Sequence, residues 1–376
     1  MIKNRNEVLK IAFSAFFADL GYQAGIAAFP IIFVVIYHAP IPLYGLAESL
    51  NYGIGTFLAY VGGTLGDRIG RKRIAILGNS LITLIALMGL SRDYVQALIA
   101  FMLGWWFRNL RTPPRRAMMA EVTLPEDRSE AYGILHSLDI AGAMLSIVAL
   151  VISLYLHLSI FIFMLFTALP LVVSTLILST VKAGQNKFKK GSSTKRGRVF
   201  WTLIISTMFF GFSQYSFGFP IITTTQITGE DYLGILSYGV FLGSSSLFGY
   251  IFGRLRLNEY RGLAFLGYLV GAIASFGFAF LSGIGISSLY PLSFVMGVSV
   301  ASTETFEPTI MSKLVGEESY GAGMGFLSVG RSVGIFIGNS VMGLLYQISY
   351  THAYVFAAAM SLVSFLLILT LVYGRK

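Results

Sequence analysis

Gly62-Gly63-Thr64-Leu65-Gly66-Asp67-Arg68-Ile69-Gly70-Arg71-Lys72-Arg73 stands between two long apolar runs, at about 44–66 and 74–91. Its glycines let helix backbones approach closely. Asp67 can sit at the positive N-terminus of a helix, and the arginines can bridge to acids on neighbouring helices. Both flanking runs are long enough to cross a bilayer, which takes ~20 apolar residues.

The rest of the chain repeats this pattern. Of 376 residues, 55% are hydrophobic and 12% are charged, against roughly 25% charged in an ordinary soluble domain. That balance excludes a water-soluble enzyme, a nucleic-acid-binding domain and a disordered chain. Apolar runs fall at about 9–36, 44–66, 74–91, 95–117, 130–156 and 159–181, and resume at about 200–227, 232–253, 262–283, 288–313, 321–347 and 352–373. Strands of a membrane barrel would alternate over ~10 residues, and these unbroken runs do not. The expected fold is an all-α polytopic membrane protein with twelve transmembrane helices. Cysteine is absent, which rules out disulfides, thiolate metal sites and cysteine nucleophiles.

The net charge of +10 lies in the connections between runs. Lys3, Arg5 and Lys10 precede the first run, and Arg68, Arg71, Lys72 and Arg73 follow the second. Arg115, Arg116 and Arg128 flank the junction of the fourth and fifth, and Arg254, Arg256 and Arg261 follow the eighth. Lys313 follows the tenth, and Arg375 and Lys376 end the chain, whereas only Arg92 appears on the opposite side. The positive-inside rule then puts both termini in the cytoplasm of a multi-pass cell-membrane protein. The first run is too long for a signal-peptide core and contains Asp19, so a retained helix is expected. One linker interrupts the series at 182–199, where Lys182, Lys187, Lys189, Lys190, Lys195, Arg196 and Arg198 occur without an acid. It reads as a solvated cytoplasmic loop with a secondary affinity for anionic lipid. The expected organisation is a six-helix bundle at 1–181, this linker, and a second six-helix bundle at 200–376.

The halves look like copies. A shift of 192 residues puts Gly133 on Gly325, Gly142 on Gly334, Ser146 on Gly338 and Glu126 on Glu318. It also puts Asp139 on Arg331 and Arg115 on Glu307, so spacing persists while charges change sign. Many secondary transporters are built as six-plus-six repeats with the substrate path between the halves.

The 62–73 stretch resembles the G-x-L-x-D-R-x-G-R-[KR]-[KR] loop of the major facilitator superfamily, in the place that family puts it. The resemblance implies two pseudo-symmetric six-helix bundles and a conformational latch formed by Gly62, Gly66, Asp67, Arg68, Gly70 and Arg71. In that latch Asp67 would face the start of the eleventh helix near Gly321, and Arg71 would reach Glu121. The corresponding stretch of the second half, Gly253-Arg254-Leu255-Arg256 to Arg261-Gly262, has lost most of the pattern. A narrower resemblance joins Phe16-Phe17-Ala18-Asp19-Leu20-Gly21, Leu110-Arg111-Thr112-Pro113-Pro114-Arg115 and Gly133-Ile134-Leu135-His136-Ser137-Leu138-Asp139 to a prokaryotic subgroup of presumed exporters. That subgroup usually has an acid–arginine pair where this chain has Gly104-Trp105, and Arg108 is the candidate for the missing charge.

Ionisable residues inside the membrane cost at least ~2.5–3.5 kcal/mol on insertion scales, so each needs a partner, water or a function. Asp19, among Phe16, Phe17, Leu20 and Tyr22, is the leading candidate for proton coupling. Glu304 and Glu307 share a helix face and form the backup pair, either sharing a proton or cation or pairing with Arg108 or Arg331. Arg108 and Arg331 either bind an anionic substrate or neutralise these acids. Asp139 reads as a residue of the inter-bundle seam. Gln214 and Tyr215, within an aromatic stripe from Met208 to Gln226, join Arg108 and Arg331 as candidate lining of a substrate cavity. Glu48, near the far end of the second run, has no role in this reading.

The chain is therefore expected to be a secondary transporter, not an enzyme, exporting a small amphipathic solute or drug against protons by alternating access. No cofactor, metal or nucleic acid is implied, and no G-x-x-x-x-G-K-[ST] loop for ATP is present. Protons, a small-molecule substrate and membrane lipids are the expected partners of a monomer. The first alternative is a proton-linked importer of a small organic nutrient or anion. A polytopic membrane enzyme would need a His/Asp/Glu cluster that the sequence does not display, and a transporter-derived sensor would need an added soluble domain.

Overall fold

In the computed structural model, residues 4–124, 128–182, 197–255, 257–314 and 320–373 are described. Most of the linker, 183–196, lies outside them, as do Lys3, Glu126, Arg256, Glu318, Arg375, Lys376 and the side chains of Arg128 and 320–324. The helices follow the apolar runs: α1 Arg5–Ile36, α2 Ile41–Ile69, α3 Arg71–Leu90, α4 Tyr94–Val122, α5 Arg128–Tyr155 and α6 Ile160–Ser179. Then come α7 in two pieces, Arg198–Ser213 and Gly218–Thr228, α8 Asp231–Arg254, α9 Glu259–Ile284, α10 Ile286–Leu314, α11 Tyr320–Ile348 and α12 Tyr350–Tyr373. No strand occurs among the described residues. By length and hydropathy alone, nine of these helices can cross a membrane. The remaining three, α2, α4 and α7, are diluted by polar residues or divided by a break.

That break is a departure from the continuous seventh run expected from sequence. Residues 214–217 leave the helix between the two pieces. Pro220 lacks an N–H and its ring crowds the carbonyl of Ser216, which opens the preceding turn. The aromatic stripe is correspondingly divided, and much of it is core: Phe210 and Phe219 are fully buried.

The chain groups into two compact units. One comprises Met1–Ala39 and Ile54–Phe188, the other Pro40–Gly53 and Lys189–Lys376, so the first half of α2 belongs with the second unit. In the first unit Val8, Ile11 and Ala15 of α1 meet Ala75, Met119, Leu135 and Leu178. In the second, Leu203 and Phe210 of α7 meet Tyr268, Phe306, Ile310 and Ile368.

Small residues repeat across the units in one geometric role. A Cβ on Gly142 would lie 2.2 Å from the Phe16 carbonyl oxygen, so α5 presses on the α1 backbone. A Cβ on Gly334 would lie 2.1 Å from the Met208 carbonyl oxygen, where α11 presses on α7. Both members of the first contact map onto the second by the same shift of 192. The repeat is therefore one of helix contacts as well as of spacing.

Candidate functional site

Two clusters of ionisable side chains lie inside the bundles, one in each unit. The first gathers on α1, α4 and α5. Asp19 is 3% exposed, and its carboxyl faces that of Asp139 within hydrogen-bonding reach. Oδ1 of each is nevertheless buried without a partner. Arg115 Nη2 donates to Asp139 Oδ2 at 3.5 Å. Tyr22 touches both Asp19 and Arg108, and the Arg108 guanidinium lies 5.1 Å from the Tyr22 and Trp105 ring centroids. That stacking accommodates a cation on aromatic faces without a carboxylate.

Arg111 and Asn79 belong to the same cluster and were not singled out by the sequence as site residues. Arg111 is 1% exposed and donates from Nη1 to Asn79 Oδ1 at 2.6 Å. Asn79 Nδ2 donates in turn to Thr175 Oγ1 at 2.8 Å and Ser174 Oγ at 3.0 Å. Arg108, Arg111 and Arg115 are spaced i, i+3, i+7, a single helix face that the sequence displays. Asn79 carried no comparable signal. Nε of all three arginines, and Nη1 of Arg115, are buried without a partner.

The second cluster lies on α9, α10 and α11. Arg331 spreads its guanidinium between two carboxylates, donating from Nη1 to Glu304 Oε1 and from Nη2 to Glu307 Oε2. Glu307 is fully buried, and Tyr268 donates its hydroxyl to Oε1 at 2.8 Å. The Glu304 side chain is 54% exposed. Of the partners open to the glutamates, Arg331 is the one the structure brings to them.

The clusters are one arrangement with the charges exchanged. Arg115 pairs with Asp139 in the first unit, and Glu307 with Arg331 in the second. The shift of 192 carries each member of one pair onto a member of the other, with its sign reversed.

Gln214 and Tyr215 sit at the break in α7. Gln214 Oε1 is buried without a partner. Tyr215 is 7% exposed, 3.4 Å from Ser275 Oγ through its hydroxyl, and its ring packs edge-on to Tyr354.

The 62–73 stretch spans the end of α2 and the start of α3. A Cβ on Gly62 would lie 2.0 Å from the Leu110 carbonyl oxygen, so only glycine allows α2 to rest on α4 there. Gly66 lies against Pro114. Gly70, at φ +121°, turns the chain between the two helices in a region L side chains rarely enter. Arg71 donates from Nη2 to Asp67 Oδ1 at 2.7 Å and from Nη1 to Glu121 Oε1 at 2.5 Å. The Glu121 side chain is 3% exposed and that of Asp67 is 64% exposed. Arg68 is exposed. The side chains at 321–324, where a partner for Asp67 was expected, are outside the described residues.

With this geometry in place, known proteins supply the comparison. The family model described as Major Facilitator Superfamily matches residues 11–325. An MFS-type transporter of Methanocaldococcus jannaschii is 24% identical over 96% of this chain and 94% of its own. Multidrug resistance protein MdtH of Yersinia enterocolitica is 23% identical over 82% of this chain and 77% of its own. Among solved structures, nucleoside transporter NupG aligns with a TM-score of 0.79 at 12% identity, covering 97% of this chain and 99% of that one. A bacterial homologue of the human lysosomal transporter Spinster aligns at 0.76 and 13% identity, covering 98% and 96%. The basic glycine-rich turn after α2, the repeated bundles and these matches agree: the chain is a multi-pass membrane transporter belonging to the Major Facilitator Superfamily.

Proposed function

We propose that this transporter exports a small amphipathic organic solute from the cell in exchange for protons, by alternating access in the plasma membrane with both termini cytoplasmic. The observation that carries the proton reading is the Asp19–Asp139 pair. Two facing carboxyls with one orphaned oxygen each are satisfied together by a single proton held between them. Loss of that proton sets two carboxylates against each other beside Arg115 and favours a different arrangement of the pair. A proton can drive a conformational change only through such a difference in interaction. Glu304 and Glu307 are the second candidate pair, held against Arg331. Arg108, Gln214, Tyr215 and Arg331 are proposed to line the substrate path, Gln214 from the discontinuous stretch of α7 where transporter sites are commonly built. Gly62, Gly66, Asp67, Arg68, Gly70, Arg71 and Glu121 are proposed as the latch, with the monomer as the working unit.

Export is supported by the relatives named multidrug resistance protein. A second reading, import of an organic anion, is favoured by the unpartnered guanidinium nitrogens of Arg108, Arg111 and Arg115, which an anion would satisfy. Reconstituted protein with an imposed pH gradient, offered cationic, neutral and anionic solutes, tests both. Asp19→Asn mimics the protonated acid. It should abolish gradient-driven transport while leaving solute binding within about tenfold, ~1.4 kcal/mol, and exchange without a gradient should retain more activity. Unimpaired gradient-driven transport in Asp19→Asn would overturn the assignment and move it to Glu304 and Glu307.

A further inference from the structure

One buried carboxyl takes part in neither cluster. Glu48, on the half of α2 that belongs to the second unit, is 5% exposed. The Tyr44 hydroxyl donates to its Oε1 at 3.1 Å and lies 3.0 Å from Ser216 Oγ. Ser216 is in the break of α7, and its N–H donates to Asn339 Oδ1 of α11 at 2.8 Å. Asn51 lies beside Glu48, and its two amide atoms are buried without a hydrogen-bond partner.

Among the described residues, nothing around Glu48 supplies a positive charge. Its own helix presents Tyr44 and Tyr52, and Tyr354 of α12 is in the neighbourhood of Tyr44. From α7 comes the Ser216 hydroxyl, beside Glu48, while Asn339 and Ser340 of α11 bond to Ser216 and Ser49. Among the described residues no lysine, arginine or histidine pairs with it. The helix carrying it is packed backbone to backbone on α11. A Cβ on Gly45 would lie 2.4 Å from the Asn339 carbonyl oxygen, and Ser49 Oγ is 2.8 Å from Ser340 Oγ. Glu48 lies between these two contacts in sequence.

An ionised carboxylate buried without a cation is far costlier than the neutral acid. The Tyr44 hydroxyl and the Asn51 amide can each donate to a carboxylate or accept from an acid, so they suit either form and fix neither. We propose that Glu48 is a second proton-binding site, whose occupancy holds α2 against α11. Separation of the two helices wets the side chain and lets it ionise. Protonation therefore favours the packed arrangement by the same factor that packing favours protonation. This rests on alternating access only in requiring that α2 and α11 part during the cycle, and is independent of Asp19.

The chain has no cysteine, so Ser49→Cys with Ser340→Cys provides a lone thiol pair across the contact. Oxidative cross-linking is followed from mildly acidic to mildly alkaline pH in purified, reconstituted protein, with Glu48 and with Glu48→Gln. The ratio of the two cancels the pH dependence of thiol chemistry. With Glu48 present, cross-linking relative to Glu48→Gln should fall at least ~threefold as pH rises, a differential of about 0.65 kcal/mol. A constant ratio overturns the proposal. Should Glu48→Gln not fold, Ser14→Cys with Ser174→Cys serves as reference, because those hydroxyl oxygens lie 3.1 Å apart within the first unit. A parallel pH profile for the two thiol pairs is then the overturning result. Adding Asp19→Asn separates this proposal from the preceding one. A pH response that survives Asp19→Asn belongs to Glu48, whereas one lost in Asp19→Asn and retained in Glu48→Gln refutes it.

Discussion

Arg331 serves two carboxylates in the second unit, and its worth is unequal between them. Glu307 is fully buried and Glu304 is more than half exposed. Removing the guanidinium should therefore be felt mainly through Glu307, since an uncompensated buried charge costs ~3–5 kcal/mol. Arg331→Met is expected to lower the thermal unfolding temperature of detergent-purified protein sharply. Arg331→Met with Glu307→Gln should recover most of the loss, because the charge left behind is gone. Glu304→Gln alone should change it little. A double variant as unstable as Arg331→Met would mean that packing, and not charge, is what Arg331 supplies. The acids and arginines could be found as charges in apolar runs, and the Arg108–Arg111–Arg115 face by its spacing. Tyr268 and Asn79 could not, because each contributes through a partner more than thirty residues away.

At the scale of the element, the turn between α2 and α3 divides its labour between packing and charge. Gly62 lets α2 lie on the Leu110 carbonyl, so Gly62→Ala should destabilise the folded protein by about 1–3 kcal/mol through overpacking. Asp67 is exposed, and Arg71 retains its buried partner Glu121 when Asp67 is neutralised. Asp67→Asn should accordingly leave the unfolding temperature unchanged while slowing solute flux in proteoliposomes. Wild-type flux in Asp67→Asn would remove Asp67 from the proposed latch, and an unshifted unfolding temperature in Gly62→Ala would contradict the close approach. The broken α7 belongs to this scale as well. Its composition reads as one apolar run, and Pro220 is the local signal that it is not continuous.

Across the whole molecule, two six-helix halves keep the positions of an ion pair while exchanging the sign of each member. Both halves also keep the small residue that lets one helix press on another's backbone. Arg92 apart, the basic connections lie at the ends joined by an even number of crossings, which motivates the proposed orientation. Single cysteines at Gly197 and at Pro40, both at exposed positions, should react with an impermeant maleimide from opposite sides of a sealed membrane. Labelling at Gly197 from outside the cell and at Pro40 from inside would reverse the orientation and with it the side on which the latch acts, and labelling of both from outside would overturn the topology.

Hydrophobic run length and the glycine-rich basic turn determined the class of this protein and, the break in α7 excepted, its helices from sequence alone. These properties are local or additive: a stretch either is or is not long and apolar enough to leave water, and a glycine needs no partner to be small. Arg71 and Glu121 apart, which the family resemblance had already paired, which charges meet was decided only by the tertiary structure. Asp19 and Asp139 are 120 residues apart in sequence yet face each other, and the glutamates found Arg331 while Arg108 settled on two aromatic rings. Glu48 had no visible role for the same reason. Its burial and its lack of a cation follow from helices that arrive from distant parts of the chain, and sequence spacing does not record how they pack.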